Sequence, residues 1–171
     1  MNQATQRKLE VDRPSDWPAV LLFVRAYWQS KCGSRSMPAR NDISPVQLKP
    51  QLPHIMLVDV VDDGADFRYR LVGTQLCDHF KEEPSGRLMS EVLAPHGDVT
   101  VRETLQSYRT VVARRAPLRL TGSGAWYGQE SKQFDALLAP LSDDGATVNM
   151  ILATFVFEWD RDGEFRQILT A

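Results

Sequence analysis

The chain has 171 residues, of which 43% are hydrophobic and 25% are charged, and its formal net charge is −2. This length predicts one domain with a substantial core, and the small net charge gives no general attraction to nucleic acid or to an anionic membrane. No apolar run is long enough to cross a bilayer, and the polar stretch Met1–Arg13 shows no signal peptide, so we expect a cytoplasmic protein. Cys32 and Cys77 follow no metal-binding or redox spacing, which predicts two reduced thiols.

Residues 1–14 are polar and are expected to form a flexible N-terminus. An amphipathic helix is predicted from Ser15 to Gly33, because apolar residues recur there with helical spacing. One interpretation is that this stripe packs on the domain's own sheet. Another is that part of it forms a homodimer interface, since aromatic residues are typical interface anchors. The residues assigned to that interface are Trp17, Leu21, Val24 and Trp28.

The segment Arg35–Pro53 contains four of the ten prolines, which predicts an irregular connector. It also carries Arg35, Arg40 and Asp42. These charges could bind an anion, but ion pairs that pin the connector are the simpler interpretation.

A hairpin is predicted next, from strands His54–Val61 and Phe67–Val72 around the turn Asp62-Asp63-Gly64. Alternation in the second strand predicts that Phe67, Tyr69 and Leu71 share one face, with Arg68 and Arg70 on the other. Gly73 ends the strand, and Thr74 begins a short helix that carries Leu76 and Phe80.

The middle of the chain is predicted to be helical, with a short piece at Arg87–Leu93 and a longer helix at Asp98–Arg115. Basic residues collect around the end of the longer helix, at Arg109, Arg114, Arg115 and Arg119. No aromatic residue is interleaved with them as in a nucleic-acid site, so we interpret them as a solvated helix end.

Three strands are predicted to follow, at Pro117–Gly122, Gln133–Leu141 and Val148–Trp159. Pro140 predicts an edge-like or bulged end for the second of these strands. The third is apolar on both faces, which favours a central strand covered on each side. Residues 161–171 form a charged tail with a short final strand expected at Phe165–Leu169. Together these elements predict an α+β fold, an antiparallel sheet with helices on one face and the first helix available to cover the other.

This element order resembles that of PAS domains, and several motifs resemble a bacterial PAS-type family that is often a stand-alone protein. The motifs are Tyr27-Trp28, the run R-x-x-P-x-R-x-D-I-x-P from Arg35 to Pro45, YRLVGT at Tyr69–Thr74, SGR at Ser85–Arg87 and APLSDDG at Ala139–Gly145. The resemblance extends from Trp17 to Trp159. It implies a five-stranded antiparallel sheet of order 2-1-5-4-3 that forms a cavity against the central helices, within a domain spanning residues 15–160.

The resemblance further implies a non-catalytic sensory or regulatory domain in signal transduction, homodimeric, that binds a small ligand or a signalling protein. A ligand pocket would be lined by Tyr69, Leu71, Leu76, Phe80, Leu105, Tyr108, Trp126 and Phe134. The alternative for each of these residues is an ordinary place in the hydrophobic core. We expect neither flavin nor haem, because Cys77 lies in the wrong helix for the flavin class and Asp98–Arg115 contains no histidine for the haem class.

The residues give no independent sign of catalysis or of a metal site. Cys77 and His79 are two apart on a helix and point to different faces, and no serine lies in a nucleophile elbow. Asp135 is the one carboxylate in an apolar strand, and alternation places it opposite Phe134 and Ala136, facing outward. Two other functions stay open: a small α+β enzyme or binding protein of the NTF2/ketosteroid-isomerase type, and a ligand-free protein-interaction adaptor. The hairpin ahead of the main helices favours PAS over the NTF2 type.

Overall fold

The computed structural model describes residues 17–124, 129–159 and 166–169, and side chains for residues 17–122 and 133–157. The predicted flexible N-terminus, residues 1–14, lies outside the described residues, as does most of the predicted tail. The helices are α1 (Ala19–Cys32), α2 (Thr74–Phe80), α3 (Met89–Leu93) and α4 (Asp98–Arg114). The strands are β1 (Ile55–Val61), β2 (Asp66–Val72), β3 (Leu118–Gly124), β4 (Gln129–Leu141), β5 (Met150–Trp159) and β6 (Arg166–Leu169).

The strands form one antiparallel sheet of order β2-β1-β5-β4-β3-β6. The first five strands follow the predicted order 2-1-5-4-3, so the α+β prediction is confirmed. β6 adds a sixth strand at the edge of β3, within the segment where a short final strand was predicted. No helix among the described residues is long and apolar enough to cross a membrane.

The register of β4 and β5 defines two faces of the sheet. Phe134 pairs with Phe157 and Ala136 with Phe155, and directly paired residues project to the same side. We call this side, which contacts α2 through Phe157, the inner face. Asp135 and the residues that alternate with it lie on the opposite side, the outer face.

The outer face is covered by α1, which packs against β4 and β5. Leu21 and Val24 are fully buried, and the indole Nε1–H of Trp28 donates a 2.8 Å hydrogen bond to the carbonyl of Pro140. The prediction that the first helix covers the second face is therefore confirmed. All four residues assigned to a dimer interface, Trp17, Leu21, Val24 and Trp28, are at most 5% exposed within their own chain. Their stripe packs on its own sheet, which leaves them little surface for a second copy.

The prediction that Pro140 marks an edge-like end of β4 is confirmed for that end, although the strand as a whole is not at an edge. β4 is an interior strand, between β5 and β3. Its pairing with β3 stops at Leu138, while its pairing with β5 continues through Pro140. Proline is tolerated there because on the β3 side no ladder partner requires its missing N–H.

The alternation predicted for β2 holds only in part. Val58 pairs with Tyr69, but Leu57 pairs with Leu71, so the register shifts between these pairs and Arg70 is the extra residue. A bulge of this kind reverses the face of the residues beyond it. Leu71 is consequently 42% exposed, while Val72 is buried.

Residues of the sequence motifs meet at one end of the sheet. The hydroxyl of Tyr27 accepts a 2.8 Å hydrogen bond from the backbone N–H of Ser44, and the carbonyl of Pro38 accepts one of 2.9 Å from Ser142. Arg35 and Asp42 form a 2.7 Å ion pair. The expectation that these charges pin the connector is confirmed for this pair, which ties the connector to itself beside α1 and the β4–β5 turn.

The arginines near the end of α4 are not one solvated group. Arg109 donates hydrogen bonds of 2.8 and 2.7 Å to the carbonyls of Gly64 and Ala65. It therefore fixes the β1–β2 turn against α4. Only Arg114 and Arg115 of the group are exposed, as predicted.

Candidate functional site

An aromatic cluster lies where α2 meets the inner face. Phe80 of α2 and Phe157 of β5 are in edge contact at 6.4 Å between ring centroids. Phe155 lies 6.2 Å from Phe157 and 6.0 Å from Phe134 of β4. The chain of contacts thus runs from α2 across two strands of the sheet.

Local sequence places these rings. Gly73 lies between β2 and α2 and lets the backbone of Leu52 and Pro53 pack against it, since a Cβ at this position would lie 2.2 Å from the carbonyl oxygen of Leu52. Phe155 and Phe157 are two apart on β5, so they project to one face, and antiparallel register places Phe134 beside Phe157.

Small residues occupy the middle of the same face. Ala136 lies opposite Phe155, and Ala153 lies opposite Leu138, so the two alanines are diagonal neighbours. Both are completely buried. Their methyl groups are the smallest side chains in a face that otherwise carries large apolar residues such as Phe134, Phe155 and Leu138.

Two histidines bring polar atoms to this region. The ring of His79 is 6% exposed and stacks on Phe157 with a centroid distance of 3.6 Å and an interplanar angle of 14°. Nδ1 of His54 is hydrogen bonded to the carbonyl of Phe155 at 3.2 Å. The aromatic cluster therefore combines flat apolar surfaces with imidazole groups that can donate or accept a hydrogen bond.

α4 covers another part of the inner face. Tyr108 is 2% exposed and its ring lies 5.2 Å from that of Phe67 on β2. Burial raises the pKa of Tyr108, so its phenol stays neutral throughout the physiological range. Leu105, one turn earlier, is 6% exposed.

The structure buries six of the eight residues predicted to line a pocket: Tyr69, Leu76, Phe80, Leu105, Tyr108 and Phe134. The exposed Leu71 does not join them, because the bulge in β2 turns it away. Trp126 lies outside the described residues.

Sequence reasoning missed His79, Phe155 and Phe157 as members of the cluster. β5 is apolar on both faces, so alternation alone could not say which residues face α2. The signal that identifies them is the register with β4, which pairs Phe157 with Phe134.

Two potentially reactive side chains, Cys77 and Asp135, are each influenced by a charged neighbour. Burial and the neighbouring Glu83 raise the pKa of the Cys77 thiol to about 11, so it is protonated at neutral pH. Asp135 lies on the face opposite to Phe134 and Ala136, as predicted, but it does not face solvent. The guanidinium of Arg119 donates hydrogen bonds of 2.8 and 2.5 Å to its carboxylate, and the ring of Trp17 lies over that guanidinium. Within the described parts of the chain, no group of three or more His, Cys, Asp or Glu side chains could hold a metal ion.

Residues 18–156 match the family model of the PAS domain. The chain belongs to the PAS domain family. No curated protein matches the chain. Family and strand order together exclude the NTF2-type fold for this domain, and the aromatic cluster lies on the PAS sheet's inner face.

Proposed function

We propose that this PAS domain is a non-catalytic, cytoplasmic sensory protein that binds a small, mostly apolar molecule at the inner face. The observation that carries the proposal is the pair of buried alanines, Ala136 and Ala153, beside the phenylalanine rings of β4 and β5 on the face that α2 contacts through Phe157. Small-molecule sites are concave, mainly apolar and provided with a few polar groups.

The chemistry of the lining favours a flat, uncharged ligand. The phenylalanine rings offer faces and edges for offset or edge-on stacking. His79 and His54 supply hydrogen-bonding atoms at the α2 side. A charged ligand would lose its hydration without an opposite charge to replace it, which is unfavourable in such a lining. Flavin and haem are not part of the proposal.

Native mass spectrometry of the purified protein, compared with its denatured mass, tests this proposal. The expected result is a reproducible extra mass that is lost on denaturation, and its identification would name the ligand. A bare chain that also gains no mass from a set of flat aromatic probes would contradict the proposal.

A matched pair of substitutions locates the site. Ala136→Leu adds three carbons on the inner face, and Ala139→Leu adds them on the outer face of the same strand, where the alanine is also completely buried. Ala136→Leu is expected to lose the bound mass while Ala139→Leu retains it. Loss in both variants, or in neither, would show that the ligand does not bind at the inner face.

A second function, as a protein-interaction module, is favoured by the exposed side of α1. Phe23 is 45% exposed, and Ala19 and Ala26 are exposed at helical spacing from it. The cations of this helix are turned onto rings of their own chain, Arg25 over Trp17 at 5.0 Å and Lys31 over Tyr27 at 5.1 Å. The uncharged stripe suits a second copy of the chain.

Light scattering after size exclusion tests the homodimer. The wild type is expected to run as a dimer and Phe23→Glu as a folded monomer. Val99→Glu is the control, because Val99 is 56% exposed on a different helix. A wild-type monomer at high concentration, or dissociation by both variants, would contradict dimerisation through α1.

A further inference from the structure

β2 is the edge strand at one end of the sheet, and a short segment of the same chain pairs with its outer edge. The N–H of Gly86 donates a 2.6 Å hydrogen bond to the carbonyl of Tyr69, and the N–H of Tyr69 donates one of 3.1 Å to the carbonyl of Arg87. Arg68 and Leu88 form an isolated antiparallel bridge beside them. We call residues 85–88 the strap, since they act as a fragment of an additional strand.

Apart from those bonds and the bridge, the hydrogen bonds of the strap are local. The N–H groups of Ser85 and Leu88 donate to the carboxylates of Glu83 and Glu91, and that of Arg87 donates to the carbonyl of Pro84. Ser85, Gly86 and Arg87 are exposed, whereas Pro84 before the strap and Met89 after it are buried. The ion pair of Arg87 with Glu82 spans 2.8 Å, but its side chains are 48% and 33% exposed. Exposed pairs of this kind contribute only about 0–1 kcal/mol. The contacts of the strap with β2 are thus the two bonds to Tyr69 and the bridge to Arg68, while the residues on either side of the strap are buried.

The edge beneath the strap has its own chemical character. Arg68 and Arg70 are exposed on either side of Tyr69, and the 3.3 Å pair of Arg70 with Asp59 leaves the Arg70 side chain 59% exposed. Leu71 adds an apolar side chain that is 42% exposed. An edge strand that is covered only by a short strap and carries two exposed cations is suited to bind an extended acidic segment.

We propose that the β2 edge is a docking site for an extended segment of a partner protein in which acidic and apolar residues alternate. The segment adds to β2 as a new strand and takes the place of the strap. Its backbone replaces the two hydrogen bonds to Tyr69, its carboxylates lie on the side of Arg68 and Arg70, and its apolar residues lie on the opposite side, that of Tyr69. This site deepens the proposed function by giving it a partner, and it does not require the inner face to hold a ligand.

The first test uses a fluorescent peptide, acetyl-Glu-Val-Glu-Val-Glu-Val-Glu-amide, titrated into the full chain by anisotropy. Gly86→Pro removes the N–H that holds the strap and is incompatible with the φ of +86° at this position. Gly86→Ala keeps the N–H. The proline variant is expected to bind the peptide at least about tenfold more tightly than the alanine variant, a difference of about 1.4 kcal/mol.

Charge and backbone controls use the same variants. A peptide with lysine in place of glutamate should bind at least severalfold more weakly, because it faces Arg68 and Arg70. A peptide N-methylated at alternate residues should not bind, because strand addition needs its N–H groups. Equal binding of the acidic and basic peptides would overturn the proposal.

A disulfide between the strap and β2 tests the same site and does not depend on whether Gly86→Pro folds. Arg68→Cys and Leu88→Cys, at the bridged positions, are placed in a chain with Cys32→Ser and Cys77→Ser. The oxidised protein should lose binding of the acidic peptide, and reduction of the same sample should restore binding to the level of an Arg68→Ala variant, which lacks the same cation. Unchanged affinity on oxidation would show that the peptide does not bind at the β2 edge. Neither result depends on a ligand at the inner face, so this proposal and the sensory function fail separately.

Discussion

The two faces of the sheet are covered in different ways. On the outer face, α1 is fixed by a hydrogen bond from Trp28 to a strand carbonyl, and Trp17 lies over the Arg119–Asp135 ion pair. On the inner face, the contacts that join α2 to the sheet are between rings, at centroid distances of 3.6 to 6.4 Å. Directional polar contacts specify one arrangement, whereas ring contacts tolerate small shifts. The polar contacts thus fix α1 on the outer face, and we propose that the part of the inner face near α2 is the one that accepts a ligand.

The largest expected effect comes from the outer face. Trp28→Ala should lower the free energy of unfolding by about 3–5 kcal/mol, because it leaves a cavity and an unpaired buried carbonyl. Trp28→Phe should cost less, since most of the packing stays. Urea denaturation measures both. A loss below about 1 kcal/mol for Trp28→Ala would show that the contact of Trp28 does not fix α1 on the outer face.

The ion pair under Trp17 should come next. Asp135→Ala leaves the guanidinium of Arg119, whose side chain is 7% exposed, without its carboxylate. We expect a cost of about 3 kcal/mol, since a buried charge loses its partner. The double variant Arg119→Met/Asp135→Leu should be clearly more stable than Asp135→Ala. If the two are equally destabilised in urea, the pair is not the stabilising feature.

The two alanines of β4 compare the packing of the two faces directly, because they lie on one strand and project to opposite faces. Ala139→Leu on the outer face should destabilise the protein by about 1–3 kcal/mol, the usual cost of overpacking. Ala136→Leu on the inner face should lower the free energy of unfolding by less than about 1 kcal/mol, because the proposed ligand cavity accepts the added carbons. Thermal midpoints of the ligand-free proteins provide the measurement. Equal losses would mean that both faces are packed alike.

Lowering the pH should have the smallest effect on stability, and it acts on carboxyl groups at the end of the sheet where the connector meets the β4–β5 turn. Backbone N–H groups of Thr147 and Ala146 hold the pKa of Asp144 well below its ordinary value, and the N–H of Ala39 with Arg35 lowers the pKa of Asp42. A carboxyl whose pKa is lower in the folded state adds stability above its unfolded pKa of about 3.9, and this stability is lost as pH falls. Asp144→Asn should therefore lower the thermal midpoint at pH 7 and progressively less below pH of about 4. A constant difference from pH 7 to pH 2.5 would contradict this account.

Much of this fold can be predicted from local patterns. The spacing in α1 and the strand–Gly73–helix unit predict their elements, because amphipathic period and turn chemistry act over a few residues. The bulge that exposes Leu71 could not be predicted, because it depends on which residues of β1 pair with β2. The site is harder still. Phe155 and Phe157 belong to a strand that is apolar on both faces, and only the pairing of β4 with β5 shows that they face α2.

Xenon-pressurised crystals test the central claim most directly, because xenon binds apolar cavities and is located by its anomalous scattering. We predict a xenon site on the inner face, in contact with Ala136, Ala153 and Phe155, and none between α1 and the outer face. In crystals of the ligand-free protein, an inner face filled by the chain's own side chains and without xenon, or a xenon site under α1 alone, would contradict the proposal that the inner face is the ligand site.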